Sequence, residues 1–216
     1  MARRSDHTRG ELKEMIVESA TRIVADEGLE KLTIRRIAKE IGYTSGTLYL
    51  LFESRDDLIV ELHINTLQKL HACLSEVNLE KSAEEALTGL ASSYLGFIQE
   101  NPNLWNAVFE HRLSQGKVTP ERYDRAIFSL IDLGVAAIRP LYPESRVEEA
   151  IHDARVLWAS LYGIAALDVS DKLSRYESSE RFIESLMKNY VAGIRQSMAE
   201  DISRQRVEDR PADTTL

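Results

Sequence analysis

The sequence predicts an all-α protein, and three observations carry that expectation. Apolar residues recur at three- and four-residue spacing along most of the chain. The five prolines, at 102, 120, 140, 143 and 211, fall between the periodic stretches. No run alternates β-branched with polar residues, and no Asn-Gly or Asp-Gly pair marks a hairpin.

The first helix is expected from about Arg9 to Asp26, where Leu12, Ile16, Ala20, Ile23 and Val24 make one apolar face. Gly28 is placed to cap its C-terminus. A short helix follows over Ile34–Ile41, with Thr33 as N-cap and Gly42 as terminator. Another runs from Ser45 to about Phe52. Ser54 then caps a long helix from Arg55 to about Val77, with Leu58, Leu62, Leu70 and Leu74 on its inner side. Ser82 and Glu85 have the spacing of a capping box, in which each side chain satisfies a free backbone amide of the other's residue. The helix they start stops at Asn101-Pro102. A short helix spans about Leu104 to Leu113. Thr119-Pro120 opens the next, which ends near Arg139. Long helices are expected over 146–168 and 179–202. Residues 204–216 are polar and without pattern, so a frayed tail is expected there.

Composition narrows the function. The 216 residues are 44 % hydrophobic and 29 % charged, as in soluble globular proteins. No apolar run approaches the ~18–20 residues of a membrane span, and the N-terminal residues lack the apolar core of a signal peptide. A cytoplasmic protein is expected. The net charge is −8, but residues 1–50 hold nine basic and eight acidic side chains. The acidity therefore lies further on, and the front of the chain can face DNA if its cations share one side. The lone Cys73 excludes an intramolecular disulfide and is expected as a small buried apolar residue. His63 and His71 are eight apart and no His-Glu-x-x-His occurs, so no metal is expected. No Gly-x-Ser-x-Gly elbow, phosphate loop or Gly-x-Gly-x-x-Gly is present. The expectation is accordingly no catalytic residue, no cofactor and no enzyme.

Residues 33–52 are the informative stretch. Two short helices joined by a glycine-containing turn form a helix-turn-helix. Ile37, Ala38 and Ile41 give the first helix an inner face, and small Ala38 lets the second cross closely. Leu48 and Phe52 anchor the second helix from below. Its other face then shows Thr44, Ser45, Thr47 and Tyr49, hydroxyl groups that can bond to base edges or phosphates. Thr33 leaves a helix N-terminus open to phosphate. Arg35, Arg36 and Gly46 complete the candidate set for DNA contact.

These residues carry a resemblance. Residues 8–67 resemble the tetracycline-repressor-like (TetR) family of bacterial transcription regulators. The likeness rests on Ala25-Asp-Glu-Gly28, Leu32-Thr33, Ile37-Ala38-Lys39-Glu40-Ile41-Gly42, Ser45-Gly46-Thr47-Leu48-Tyr49 and Phe52-Glu53-Ser54-Arg55-Asp56-Asp57-Leu58. It implies a three-helix DNA-binding domain at 8–67 and a larger helical effector-binding and dimerisation domain at 68–203. It also implies a homodimer on a palindromic operator in double-stranded DNA. Thr33, Tyr49 and Arg55 would contact phosphate, and Thr44, Ser45 and Thr47 would face bases. Two positions depart from the family pattern: Leu50 stands where many members carry histidine or tryptophan, and Arg55 where lysine is usual. Further on, Trp158 to Gly163 is similar to a tryptophan–histidine–glycine segment of one branch, with Tyr162 in the histidine's place.

Tyr94, Trp105, Phe109, Tyr123, Trp158 and Tyr162 are the candidate lining of an effector pocket, and an apolar or amphipathic small molecule is the effector expected. Leu157, Leu161, Leu186, Tyr190 and Ile194 are the candidate dimer contacts, with Gly163 and Gly193 allowing close helix approach. The long helix from Arg55 is expected to link the two domains. Two other classes stay open: an all-α small-molecule carrier or enzyme, and a protein-interaction module. Salt-dependent binding to duplex DNA separates the first reading from both.

Overall fold

The computed structural model describes residues 7–112, 114, 118–173 and 175–208. Among them the regular structure is helical: α1 Arg9–Glu27, α2 Ile34–Glu40, α3 Ser45–Tyr49, α4 Arg55–Ser75, α5 Ala83–Glu100, α6 Pro102–Glu110, α7 Glu121–Ile138, α8 Val147–Val169 and α9 Ser179–Glu208. The chain divides into two compact units. One comprises residues 1–74 and 96–130, the other 75–95 and 131–216.

In the first unit, Thr8 and Glu11 form a capping box at the start of α1, and Gly28, at φ 84°, ends the helix. The face of α1 read from the sequence is the buried one. Ile16, Ala20, Ile23 and Val24 pack with Ile37, Leu48, Leu58 and Leu62 in one core. Burying each of the isoleucine, leucine and valine side chains contributes about 1.5–3 kcal/mol. Leu104 and Ala107 of α6 belong to the same core, and Asn103 Nδ2 donates to the Ala25 carbonyl at 2.8 Å. The unit holding the helix-turn-helix thus reaches beyond residues 8–67 and recruits α6 and the first half of α7.

Helix α4 is tied down from three sides. Glu61 pairs with Lys13 of α1 at 2.6 Å and with Arg122 of α7. Burial pushes the Glu61 carboxyl up, but hydrogen bonds from Arg122 and Lys13 outweigh it and hold the group below the usual range. Asp56 accepts from the Ser114 backbone N–H at 3.0 Å, and His111 Nε2 stands 3.5 Å from it. These contacts lower the Asp56 pKa, Ser114 making the largest contribution. His63 is 3 % exposed and meets His111 edge-on, with ring centroids 5.9 Å apart.

In the second unit α8 packs on α9. Tyr142 and Tyr190 both donate to the carboxylate of Asp153, Tyr190 at 2.8 Å. Arg146 reaches Asp201 at 2.8 Å. A Cβ on Gly89 would lie 2.9 Å from Val77 Cγ1, so α5 passes the preceding loop too closely for a side chain.

Several boundaries differ from the sequence reading. Regular α3 stops at Tyr49; Leu51 and Phe52 both donate to the Leu48 carbonyl, which tightens the chain into a turn. Helix α9 continues to Glu208, so the first part of the expected tail is helical, and 209–216 lie outside the described residues. Helix α4 ends at Ser75, and all but that last residue lies in the first unit. The helices divided between the units are therefore α5 and α7 rather than α4. Cys73 is half-buried rather than fully buried, since Leu70 and Leu74 take the inward positions of this part of α4. No helix among the described residues is long and apolar enough to cross a membrane.

Candidate nucleic-acid interface

The helix-turn-helix is assembled from local hydrogen bonds that the sequence dictates. Thr33 has an extended backbone, and its Oγ1 accepts from the Arg36 N–H at 3.2 Å, which starts α2. Ile37 and Ala38 are buried beneath. Gly42 turns the chain at φ 76°, where a side chain would be strained, and the Tyr43 N–H returns to the Ala38 carbonyl at 2.8 Å. Thr44 then repeats the capping device for α3: its Oγ1 accepts from the Thr47 N–H at 3.3 Å and lies 3.0 Å from Thr47 Oγ1. Leu48 is fully buried and Phe52 nearly so, which fixes α3 by one face.

The other face of α3 is open. Thr44 and Gly46 are exposed, Ser45 and Thr47 half-buried, Tyr49 54 % exposed and Leu50 68 % exposed. Thr33 and Arg35 are exposed on the neighbouring α2 and its cap. The structure therefore brings the candidate residues of α2 and α3 onto adjoining elements. Two of the candidate cations have partners within the protein. Arg36 grips Glu27 through both its terminal nitrogens, one at 2.9 Å. Hydrogen bonding to Arg36 is also what lowers the Glu27 pKa. Arg55 donates from Nε to the Leu32 carbonyl at 3.2 Å and from Nη2 to the Leu29 carbonyl at 3.0 Å. It thereby ties the start of α4 to the segment that leads into Thr33. Ser54 and Asp57 cap α4 beside it, with the Ser54 N–H donating to Asp57 at 2.8 Å.

Sequence reasoning misses three residues here. Lys39 is exposed on α2. Arg9 donates to the Leu50 carbonyl at 3.4 Å and pins the end of α3. Leu50 stands out in the sequence only as a departure from the family pattern. The signal for Arg9 is weak, because 41 residues separate the partners.

The aromatic candidates fall into two sets. Trp105 is buried against Phe109, with ring centroids 4.0 Å apart, and Phe109 and Tyr123 pack on Leu67, Val108 and Ala126 in the first unit. Tyr94 is buried in the second unit, where Trp158 and Tyr162 lie half-buried about one turn apart on α8. Burial raises the Tyr94 phenol pKa, with a further contribution from Tyr162. Of the dimer candidates, Leu157 and Ile194 are buried within the second unit itself, and Tyr190 is bonded to Asp153. These three are used inside the protomer. Leu161 and Leu186 are half-buried. The outward residues of α8 and α9 include small ones, Val156 and Ala159 on one and Ala192, Gly193 and Ala199 on the other, beside Leu167 and charged side chains such as Arg155 and Lys188. An added Cβ at Gly163 or Gly193 would meet nothing within 4 Å.

Comparison with known proteins agrees with this geometry. Residues 16–62 match the family model described as bacterial regulatory proteins, tetR family. Residues 87–190 match the tetracyclin repressor-like C-terminal domain. An uncharacterised HTH-type transcriptional regulator of Mycobacterium tuberculosis is 23 % identical over 176 residues, which cover 82 % of this chain and 78 % of that protein. Among solved structures, BioQ with its double-stranded DNA operator superposes with a TM-score of 0.61 at 19 % identity, covering 84 % of this chain and 98 % of that one. FadR of Bacillus subtilis with stearoyl-CoA gives 0.62 at 16 % identity, covering 83 % and 98 %. With both halves matched and the helix-turn-helix built as described, the chain belongs to the TetR family of transcriptional regulators.

Proposed function

We propose that this regulator is a ligand-responsive repressor that binds a palindromic operator as a homodimer. The observation that carries the reading is α3, anchored by Leu48 and Phe52 and open along Thr44, Gly46, Tyr49 and Leu50. Such a helix enters a major groove, where Ser45 and Thr47 join Thr44 at the base edges. Thr33, Arg35 and Tyr49 contact phosphate, and Arg55 and Arg36 hold the segment from which Thr33 projects. The dimer joins α8 and α9 to their copies through the small outward residues, with Leu161 and Leu186 at the margin. BioQ in complex with its operator supports the DNA-binding reading.

The effector in this reading is apolar or amphipathic and lodges in the second unit beside Tyr94, Trp158 and Tyr162. FadR with stearoyl-CoA supports that class of molecule. The effector weakens DNA binding five- to 150-fold if it prefers the incompetent state by ~1–3 kcal/mol. The full chain, offered a library of random duplexes, is expected to enrich an inverted repeat whose half-sites lie about one helical turn apart, roughly 34–36 Å. Long-chain acyl-CoA is then titrated with and without that duplex. Weaker acyl-CoA binding in the presence of operator supports the switch, and equal affinity in both refutes it.

A further inference from the structure

The composition of α3 limits how it can read bases. The helix is Ser-Gly-Thr-Leu-Tyr. It has no arginine or lysine to grip guanine by two hydrogen bonds, and no asparagine or glutamine to grip adenine. Two of its hydroxyls spend part of their bonding capacity within the chain, since Thr44 Oγ1 accepts from the Thr47 N–H and lies 3.0 Å from Thr47 Oγ1. The most exposed large side chain of the helix and its cap is apolar: Leu50, at 68 %. It is not loosely placed. Leu48 and Phe52 on either side are buried, and Arg9 holds its carbonyl at 3.4 Å.

Gly46, one turn earlier, is a second and independent observation. Its φ lies outside the left-handed region, and an added Cβ would meet only Thr44 Oγ1, at an ordinary 3.8 Å. Neither backbone conformation nor packing within the chain requires glycine there. A bare backbone at an exposed position, one turn from an exposed leucine, suits the close approach of an outside surface.

We propose that Leu50 reads the C5-methyl groups of thymine in the major groove, with Gly46 giving the base edges room against α3. The inference rests on the operator-binding reading and names how that face chooses sequence. In the major groove only thymine among the unmodified bases carries a methyl, and apolar side chains recognise it by contact. Each operator half-site therefore holds a thymine opposite Leu50. Since 5-methylcytosine places its methyl on the same ring carbon, it restores part of the contact when it replaces cytosine there.

The test uses the full chain and the duplex it selects from a random library. Each thymine is replaced in turn by deoxyuridine, which removes one methyl and leaves every hydrogen-bonding group. One position per half-site is expected to lose about fourfold in affinity, the worth of one buried methyl. Leu50→Ala should bind the thymine and uridine duplexes alike at that position, while Leu50→Met keeps the preference. Gly46→Ala should fold normally and weaken binding to both. Uridine tolerated at every position by the unmodified protein would overturn the proposal, as would a preference undiminished in Leu50→Ala. If the chain selects no duplex at all, the operator-binding reading falls and takes this inference with it.

Discussion

At the residue scale, the scaffold of the helix-turn-helix was legible because its logic is local. Thr33, Thr44 and Gly42 act within a few residues of themselves, as caps and a left-handed turn, and each does what its chemistry suggests. Arg36 and Arg55 were harder to read. Their partners lie nine and 23 to 26 residues away, and nothing in the sequence pairs a guanidinium with a particular carboxylate or carbonyl. Arg55 has two roles to separate: the phosphate contact that the resemblance implies, and the hold on the Leu29 and Leu32 carbonyls that the structure shows. As a phosphate contact, its loss in Arg55→Ala lowers the slope of log affinity against log salt by about one unit and weakens binding to all duplexes. If Arg55 serves only to hold the Leu29 and Leu32 carbonyls, affinity falls while the salt slope stays. Titrations of one duplex at several salt concentrations distinguish these, and lower affinity with an unchanged slope is the outcome expected, because Arg55 donates to both carbonyls.

At the element scale, helix faces were readable and helix neighbours were not. The apolar stripe of α1 predicted which side is buried, yet nothing in that stripe says that Leu104 and Ala107 of α6 complete the core. The same holds for α8 and α9: their periodicity marks Leu157 and Ile194 as apolar, and only packing shows that both turn inward. Two predictions belong here. His63, on α4, has its pKa lowered from 6.5 to about 4, chiefly by burial and then by the nearby His111, against a hydrogen bond with the Ala107 backbone that raises it. The rings of His111 and Tyr123 face His63, and Asp56 faces His111 in turn. The unfolded chain binds a proton at His63 that the folded chain refuses, so stability rises with pH across this window. Its contribution is complete above pH 6.5 and falls as pH drops toward 4. The loss is about 2 kcal/mol between pH 7.5 and 5, since each tenfold difference in proton affinity between the folded and unfolded chain is worth roughly 1.4 kcal/mol. Urea unfolding at the two pH values measures it, and His63→Leu should flatten the dependence. Asp56 and Glu61, whose carboxyls are both lowered, lose their contributions only at lower pH. The second prediction is Gly89→Ala. Alanine favours a helix by up to about 1 kcal/mol, but its Cβ would collide with Val77, so the variant should melt lower than the unmodified protein. A higher melting temperature would mean that Val77 yields at no cost.

At the scale of the whole molecule, the all-α architecture was legible from periodicity and proline placement, and the family from residues 8–67. The division of the chain was less so. Compact units here cut across α5 and α7, because contacts rather than chain order decide them. Consequently the element expected to link the two halves, α4, gives way to α5 and α7 as the helices shared by both. Dimerisation is the expected whole-molecule property, and Ala192→Glu on the outward side of α9 should shift sedimentation from dimer toward monomer at micromolar concentration without lowering helix content. If α2 and α3 form a sequence-reading surface that a dimer presents twice, one titration shows it. The fluorescence anisotropy of the selected inverted-repeat duplex is followed as the full chain is added at rising salt. Saturation is expected at two protomers per inverted repeat, with a log affinity that falls linearly with log salt and at least ~10³-fold preference over a scrambled duplex. Equal affinity for the selected and scrambled duplexes at every salt concentration would contradict a sequence-reading surface.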